Sequence, residues 1–271
     1  MALDHGNLSR LLETAIVAAR LAGQRAMEEM DFVKASVKND TDHVTQADLR
    51  CQGIIVDRIK QAYPDHGFIA EEGEGGGIFK QPPRGSEDIW WVVDPIDGTA
   101  NFVHGIPSFT VCIAAMHGGR PVVGAVFEPA TDSMFTAVAG GEAQLNGRRI
   151  APGTAKMDRF SSVGIDSYYN EGVPDWVCHV IQHTRSRNFG TTGLHLAYVA
   201  RGAMVAAVAS RPKLWDIAAG AVIAETAGAV VTGWKGEKLF PMDLQSYKGR
   251  EINTVAANKM VHSEMLELLN K

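Results

Sequence analysis

Residues 90–102 read Trp90-Trp91-Val92-Val93-Asp94-Pro95-Ile96-Asp97-Gly98-Thr99-Ala100-Asn101-Phe102. With Ile89 the stretch opens as a short aromatic and β-branched run, bounded upstream by the turn residues of 85–88. That pattern predicts a buried strand ending at Asp94. Pro95 fixes the backbone between the two aspartates, and Gly98 permits a tight turn into a short helix. Carboxylates bind Mg²⁺, and amides at a helix start bind phosphate. Both ingredients of metal-assisted phosphoryl hydrolysis therefore stand close together in the chain. The same letters also spell plain turns, because Asp-Pro and Asp-Gly are common turn pairs and Asp97 can simply cap a helix.

Immediately upstream, Gly67-Phe68-Ile69-Ala70 predicts a strand that delivers Glu71 and Glu72, and 73–77 reads as a flexible loop. Leu8, Leu11, Leu12, Ala15, Ile16 and Ala19 recur at helical spacing and predict an amphipathic helix from Leu8 to about Met30. A polar stretch over 34–43 follows. Thr45 and Asp48 resemble a capping box, with Ile54, Ile55 and Ile59 as the buried face of a helix that stops by Tyr63-Pro64.

Downstream, 108–139 predicts three consecutive strands with turns at Gly118-Gly119 and 129–132, and Asn146-Gly147 marks another tight turn. The second half alternates. Helices are predicted over 174–185, 194–201, 215–227 and 263–269, and strands over 204–209, 229–232 and 254–257. Neither repeats nor a long linker interrupt the chain. The pattern is that of a mixed α/β protein of layered sheets and helices. One unit over 1–271 is expected, with a catalytic lobe near 1–150 and a substrate-side lobe near 151–271. Trp215-Asp216 opens a helix rich in small residues. Acidic side chains thus gather at strand ends and helix starts, where α/β proteins bind ligands.

The 271 residues suffice for a substantial core. A net charge of -5 and a pI near 6.0 argue against a nucleic-acid partner bound by broad phosphate neutralisation. No apolar run approaches the ~20 residues that cross a bilayer, and the N-terminus lacks a signal-peptide core. Cys51, Cys112 and Cys178 form an odd set without CxxC spacing, read as reduced thiols in a cytoplasmic protein.

Four motifs in order carry a resemblance. Asp94–Phe102 (DPIDGTANF) resembles the first signature of the inositol monophosphatase family, and Leu214–Gly220 (LWDIAAG) the second. His43–Asp48 (HVTQAD) and Phe68–Glu72 (FIAEE) match its two other acidic segments. The likeness runs from about Leu8 to the C-terminus. It implies an αβαβα sandwich, a homodimer, and a Li⁺-sensitive phosphomonoesterase that uses Mg²⁺, two or three ions per subunit.

By the same resemblance Asp94 bridges two ions, Glu71 and the Ile96 carbonyl hold the first, Asp97 and Asp216 the second, and Glu72 helps a third through waters. Thr99 paired with Asp48, aided by Glu71, orients or deprotonates the attacking water. The amides of Gly98 and Thr99 hold phosphate oxygens, and Lys38 lies near the metals. The organic part of a small phosphate monoester rests against Asp97, Gly193, Leu194, His195 and Asp216, although a helical histidine is also a common structural residue.

The chain departs from the inositol-specific pattern in one place. A glutamate is expected seven residues before Asp216, and Ala209 stands there, followed by Ser210 and Arg211. Inositol 1-phosphate is the first expectation. Histidinol phosphate, fructose 1,6-bisphosphate and 3′-phosphonucleotides stay open, with Arg185, Arg187 and Arg211 as candidates for a second phosphate. A non-catalytic, metal-dependent binding protein is the alternative of another class, disfavoured by the intact Asp48 and Thr99. A D-x-D-x-T aspartyl-phosphate motif and a C-x5-R cysteine-phosphatase motif are both missed by one residue.

Overall fold

The computed structural model describes residues 3–32, 35–39, 42–85, 87–169 and 172–271, with side chains left out over 35–39 and 42–44. Its strands are β1 (Ala35–Asn39), β2 (Asp42–Thr45), β3 (Gly67–Ala70), β4 (Phe79–Gln81), β5 (Ile89–Asp97), β6 (Thr110–His117), β7 (Arg120–Glu128) and β8 (Ser133–Val138). They continue with β9 (Ala143–Leu145), β10 (Arg148–Arg149), β11 (Ser162–Gly164), β12 (Arg185–Arg187), β13 (Ala206–Ala209), β14 (Val230–Thr232) and β15 (Thr254–Ala257). The α-helices are α1 (His5–Glu29), α2 (Gln46–Ala62), α3 (Thr99–Val103), α4 (Asp175–His183), α5 (Thr192–Ala200), α6 (Leu214–Ala227) and α7 (His262–Leu269).

β5 is apolar on both faces, and its alternation explains the layering. Trp91 and Val93 join a core with Leu11, Ala15 and Ala22 of α1 and Ile55 and Ile59 of α2. Trp90 and Val92 point the other way, into a core with Leu194 and Leu196 of α5 and Ile217 and Ile223 of α6. Period-two side chains on a strand covered on both sides require apolar residues at every position. The sheet that contains β5 has eight strands in the order β10-β9-β8-β7-β6-β5-β3-β4. Of its described pairings only β3 with β5 is parallel.

A second sheet, β12-β11-β13-β15-β14, packs on the far side of α5 and α6. Ala207 and Ala256 face those helices, whereas Ala206, Val208, Val255 and Ala257 face a third core with Trp176 and Val180 of α4 and Met265 of α7. Five layers result: helices, sheet, helices, sheet, helices. This is the αβαβα sandwich expected.

The elements differ from the sequence reading in identifiable ways. β5 does not end at Asp94 but continues through Pro95 to Asp97. α4 stops at His183, and 185–187 forms strand β12 instead of a last helical turn. β1 and β2 form a two-stranded ribbon in the stretch read only as polar. β4, β9, β10, β11 and β12 are too short to carry a readable period.

Candidate active site

The continuation of β5 builds the site. Its pairing with β6 runs from Ile89 opposite His117 to Asp94 opposite Cys112, then resumes at Asp97 opposite Thr110. Three steps on β5 match two on β6, so one residue is extra. In a regular strand Asp94 and Asp97, an odd number of positions apart, would face opposite sides. The bulge brings both to the face of Cys112 and Thr110, while Ile96 turns into the opposite core. Pro95, with no N–H for the ladder, suits the bulge.

Asp94 is 2% exposed. Burial pushes its pKa well above the ordinary carboxylate range, and the charges of Glu71, Asp97 and Asp216 push in the same direction. Each neighbour arrives on a different element. The Glu71 amide donates to the Val93 carbonyl at 3.2 Å, so the parallel β3 delivers this residue beside the end of β5. Asp216 lies in the first turn of α6, where its Oδ2 accepts from the Lys213 amide at 2.6 Å, and it also hydrogen-bonds to Asp94. Asp97 Oδ2 accepts from Thr191 Oγ1 and the Gly193 amide, both at 2.6 Å, and from Thr110 Oγ1 at 3.2 Å. Burial still raises the Asp97 pKa, against the pull of these bonds. Thr191 is the N-cap of α5 and accepts from the Leu194 amide, which links helix start to carboxylate.

Asp48 completes a second cluster. It is fully buried in the first turn of α2, where Oδ2 accepts from the Thr45 amide at 2.8 Å and Thr45 Oγ1 at 2.5 Å. This capping box leaves Oδ1 for Thr99 Oγ1, at 3.2 Å, and the same hydroxyl reaches the Ile96 carbonyl at 3.0 Å. Burial raises the Asp48 pKa, opposed by its bonds to Thr45 and Thr99.

Glu71, Asp94, Asp97, Thr99 and Asp216 open onto a cavity of about 470 Å³, whereas Asp48 does not line it and is joined to it through Thr99. Of the residues singled out in the sequence, Glu71, Asp94, Ile96, Asp97, Gly98, Thr99, His195, Arg211 and Asp216 line it. Others do not. Leu194 is fully buried in the core between the sheets, and Gly193 is packed so closely that a Cβ would sit 2.4 Å from Cys112 Sγ. The Gly193 amide donates to Asp97, and neither residue lines the cavity. Glu72 is buried off the cavity, its backbone held in both directions by Gln52 of α2. Arg185 and Arg187 lie on the edge strand β12, away from the cavity. Lys38 falls in β1, and its side chain lies outside the described residues.

His195 reaches the cavity, but its Nε2 accepts from the Phe189 amide at 3.0 Å, and burial lowers its pKa to about 4. It is a neutral acceptor. The cavity wall also contains Asp166, Tyr168, Asn188, Thr191, Ser210 and Lys213, which the sequence reading did not select for this site apart from weighing Ser210. Asp166 follows the three-residue strand β11, too short to announce itself, and Thr191 carried only the generic signal of a helix cap.

The donor set is all oxygen and strongly acidic, which suits a hard divalent cation. Among the described residues no three of these side chains are yet drawn into a ligating group. Asp94, Asp97 and Asp216 each accept from a backbone amide, Asp94 Oδ1 from that of Ile96 at 3.1 Å, and Asp94 is also buried among like charges. Buried carboxylates that cannot separate favour either protons or a cation.

The sequence model of the inositol monophosphatase family matches residues 7–271. The chain belongs to the inositol monophosphatase family. Nus factor SuhB of Pseudomonas aeruginosa is 34% identical over 241 residues, covering 85% of this chain and 88% of that protein. The extragenic suppressor protein suhB of Bartonella henselae superimposes with a TM-score of 0.86 at 29% identity, over 97% of this chain and 99% of the other. An inositol monophosphatase of Thermotoga maritima gives 0.84 at 31%, over 96% and 97%. A Staphylococcus aureus inositol monophosphatase has been solved with inositol monophosphate at 25% identity over 95% and 92% of the chains, TM-score 0.75. Its 2′-AMP complex gives 26%, 95%, 93% and 0.76. Members of this family are metal-dependent phosphomonoesterases, and the chain is a hydrolase of that kind. No helix among the described residues is long and apolar enough to cross a membrane.

Proposed function

We propose that this inositol monophosphatase-family chain is a Mg²⁺-dependent phosphatase whose substrate is inositol 1-phosphate. The observation that supports it best is Asp94, buried among Glu71, Asp97 and Asp216 at the floor of a polar cavity. Glu71, Asp94, the Ile96 carbonyl, Asp97 and Asp216 are the residues to hold two or three Mg²⁺ ions. When bound, the cation supplies Lewis acidity at the phosphate and offsets repulsion among these carboxylates.

The remaining roles belong to the chain itself. Thr99 Oγ1 carries one proton and faces two acceptors, Asp48 Oδ1 and the Ile96 carbonyl. With that proton committed to either, its lone pairs accept a hydrogen bond from water and orient it. Asp48, raised by burial, takes up a proton more readily than an exposed carboxylate. Gly98, left-handed at φ 102°, turns the chain into α3, and the Gly98 and Thr99 amides are the donors to hold a phosphate oxygen. Residues 1–150 supply the attacking machinery and 151–271 supply Asp216 and the substrate side, acting as one catalytic unit. A cytoplasmic, Li⁺-sensitive homodimer is part of the same proposal.

Phosphate release with Mg²⁺ across inositol 1-phosphate, histidinol phosphate, fructose 1,6-bisphosphate, 3′-phosphoadenosine 5′-phosphate and 2′-AMP tests it. Inositol 1-phosphate should lead, and EDTA should abolish turnover. Another leading substrate would replace the specificity while leaving the chemistry. Mg²⁺ binding with no turnover on any of them would favour a binding protein.

A further inference from the structure

One end of the cavity is lined by residues that follow two parallel neighbours, β11 and β13. Their register pairs Val163 with Ala206 and Gly164 with Ala207. Continued by two residues, it sets Asp166 beside Ala209. Ala209 brings no polar group to this end. Asp166 does: it lines the cavity, and its Oδ2 is fixed by the Ser210 amide at 2.5 Å.

Ser210 Oγ lies next to it, buried and without a hydrogen bond of ordinary geometry among the described residues. Burial raises the Asp166 pKa, while the Ser210 amide and hydroxyl and the Arg211 charge pull it back toward ionisation. Arg211 also lines the cavity, held at a left-handed φ of 63° with its amide on Asn253 Oδ1 at 2.9 Å. The second nearby cation, Lys213, is engaged by Glu251 at 3.5 Å.

We propose that Asp166 is the specificity-determining residue of this cavity, accepting hydrogen bonds from the hydroxyl groups of a polyol phosphate. The role rests on the phosphatase reading above. A fixed acceptor at this end rewards a hydroxyl and repels a second phosphate, so it selects a neutral polyol over a sugar bisphosphate. A site built to bind hydroxyl groups discriminates strongly against substrates that lack them, because its buried polar atoms are then left unpaired.

The test is Asp166→Asn, assayed on inositol 1-phosphate and on p-nitrophenyl phosphate, which has no hydroxyl group. Asparagine keeps an oxygen for the Ser210 amide but turns an NH₂ toward the cavity in place of the second acceptor. The ratio of kcat/KM for inositol 1-phosphate to that for p-nitrophenyl phosphate should fall at least about 10-fold, mostly through KM. Fructose 1,6-bisphosphate should gain relative to inositol 1-phosphate. If both monoesters lose activity in proportion, Asp166 is structural, and an unchanged ratio overturns the inference with the phosphatase intact. If the unsubstituted protein releases phosphate from no substrate, the phosphatase reading falls and this inference with it.

Discussion

His195 shows how a side chain can sit in a cavity and still owe its state to packing. It is neutral in the fold because burial lowers its pKa from 6.5 to about 4, and its ring nitrogen accepts from the Phe189 amide. In the unfolded chain it titrates near the ordinary value. Between those values the unfolded state binds the extra proton, so stability is complete above pH ~6.5 and is lost as pH falls toward ~4. The loss should approach about 3 kcal/mol. His195→Gln retains an acceptor without the titration. Urea unfolding at pH 7 and pH 4.5 should therefore show a shallower pH dependence in the variant by roughly that amount. Equal slopes would mean that the histidine protonates within the fold. The sequence left His195 between a substrate contact and a structural residue, because helical spacing does not reveal which atom meets its nitrogen.

At the scale of elements, the site depends on how closely α6 lies on the large sheet. Gly124 in β7 makes that approach possible. A Cβ there would lie 2.5 Å from Val222 Cγ1 and 2.6 Å from the Ala219 carbonyl oxygen. The oxygen belongs to helix backbone and cannot swing aside. Gly124→Ala should cost about 1–3 kcal/mol by overpacking. It should also lower turnover, since α6 carries Asp216. Thermal unfolding with parallel kinetics checks both, and a fully stable, fully active variant would show that the helix can shift freely. The glycine was visible in the sequence, but nothing near it in the chain named its neighbour across the layer. The capping box of Thr45 and Asp48 is the opposite case. Its partners are three residues apart, and it was readable because the interaction is local.

For the whole molecule, the carboxylate floor is assembled from β3, β5 and α6, so a cation held there ties the large sheet to the central helical layer. Mg²⁺ that binds only the folded state should stabilise it by about 2.7 kcal/mol at 100 times Kd, and the unfolding temperature should rise with concentration. Asp94→Asn should remove most of that rise while leaving the metal-free protein folded, since it takes one charge out of a buried cluster. Calorimetry with a Mg²⁺ titration reads both, and an undiminished rise in the variant would place the ion elsewhere.

The sequence by itself determined the motifs and a mixed α/β layout, whereas the five-layer order came from the family resemblance. Strand and helix periods are local properties of apolar side chains, and the acidic segments adjoin recognisable strand ends and caps. Only the tertiary structure decided which faces the acids share. Asp94 and Asp97 meet on one side because β5 bulges against β6, a register that depends on the partner strand. It likewise decided that Leu194 belongs to the core and that Asp166 stands beside Ala209. Those outcomes follow from pairing between segments far apart in the chain, and no spacing within either segment encodes them.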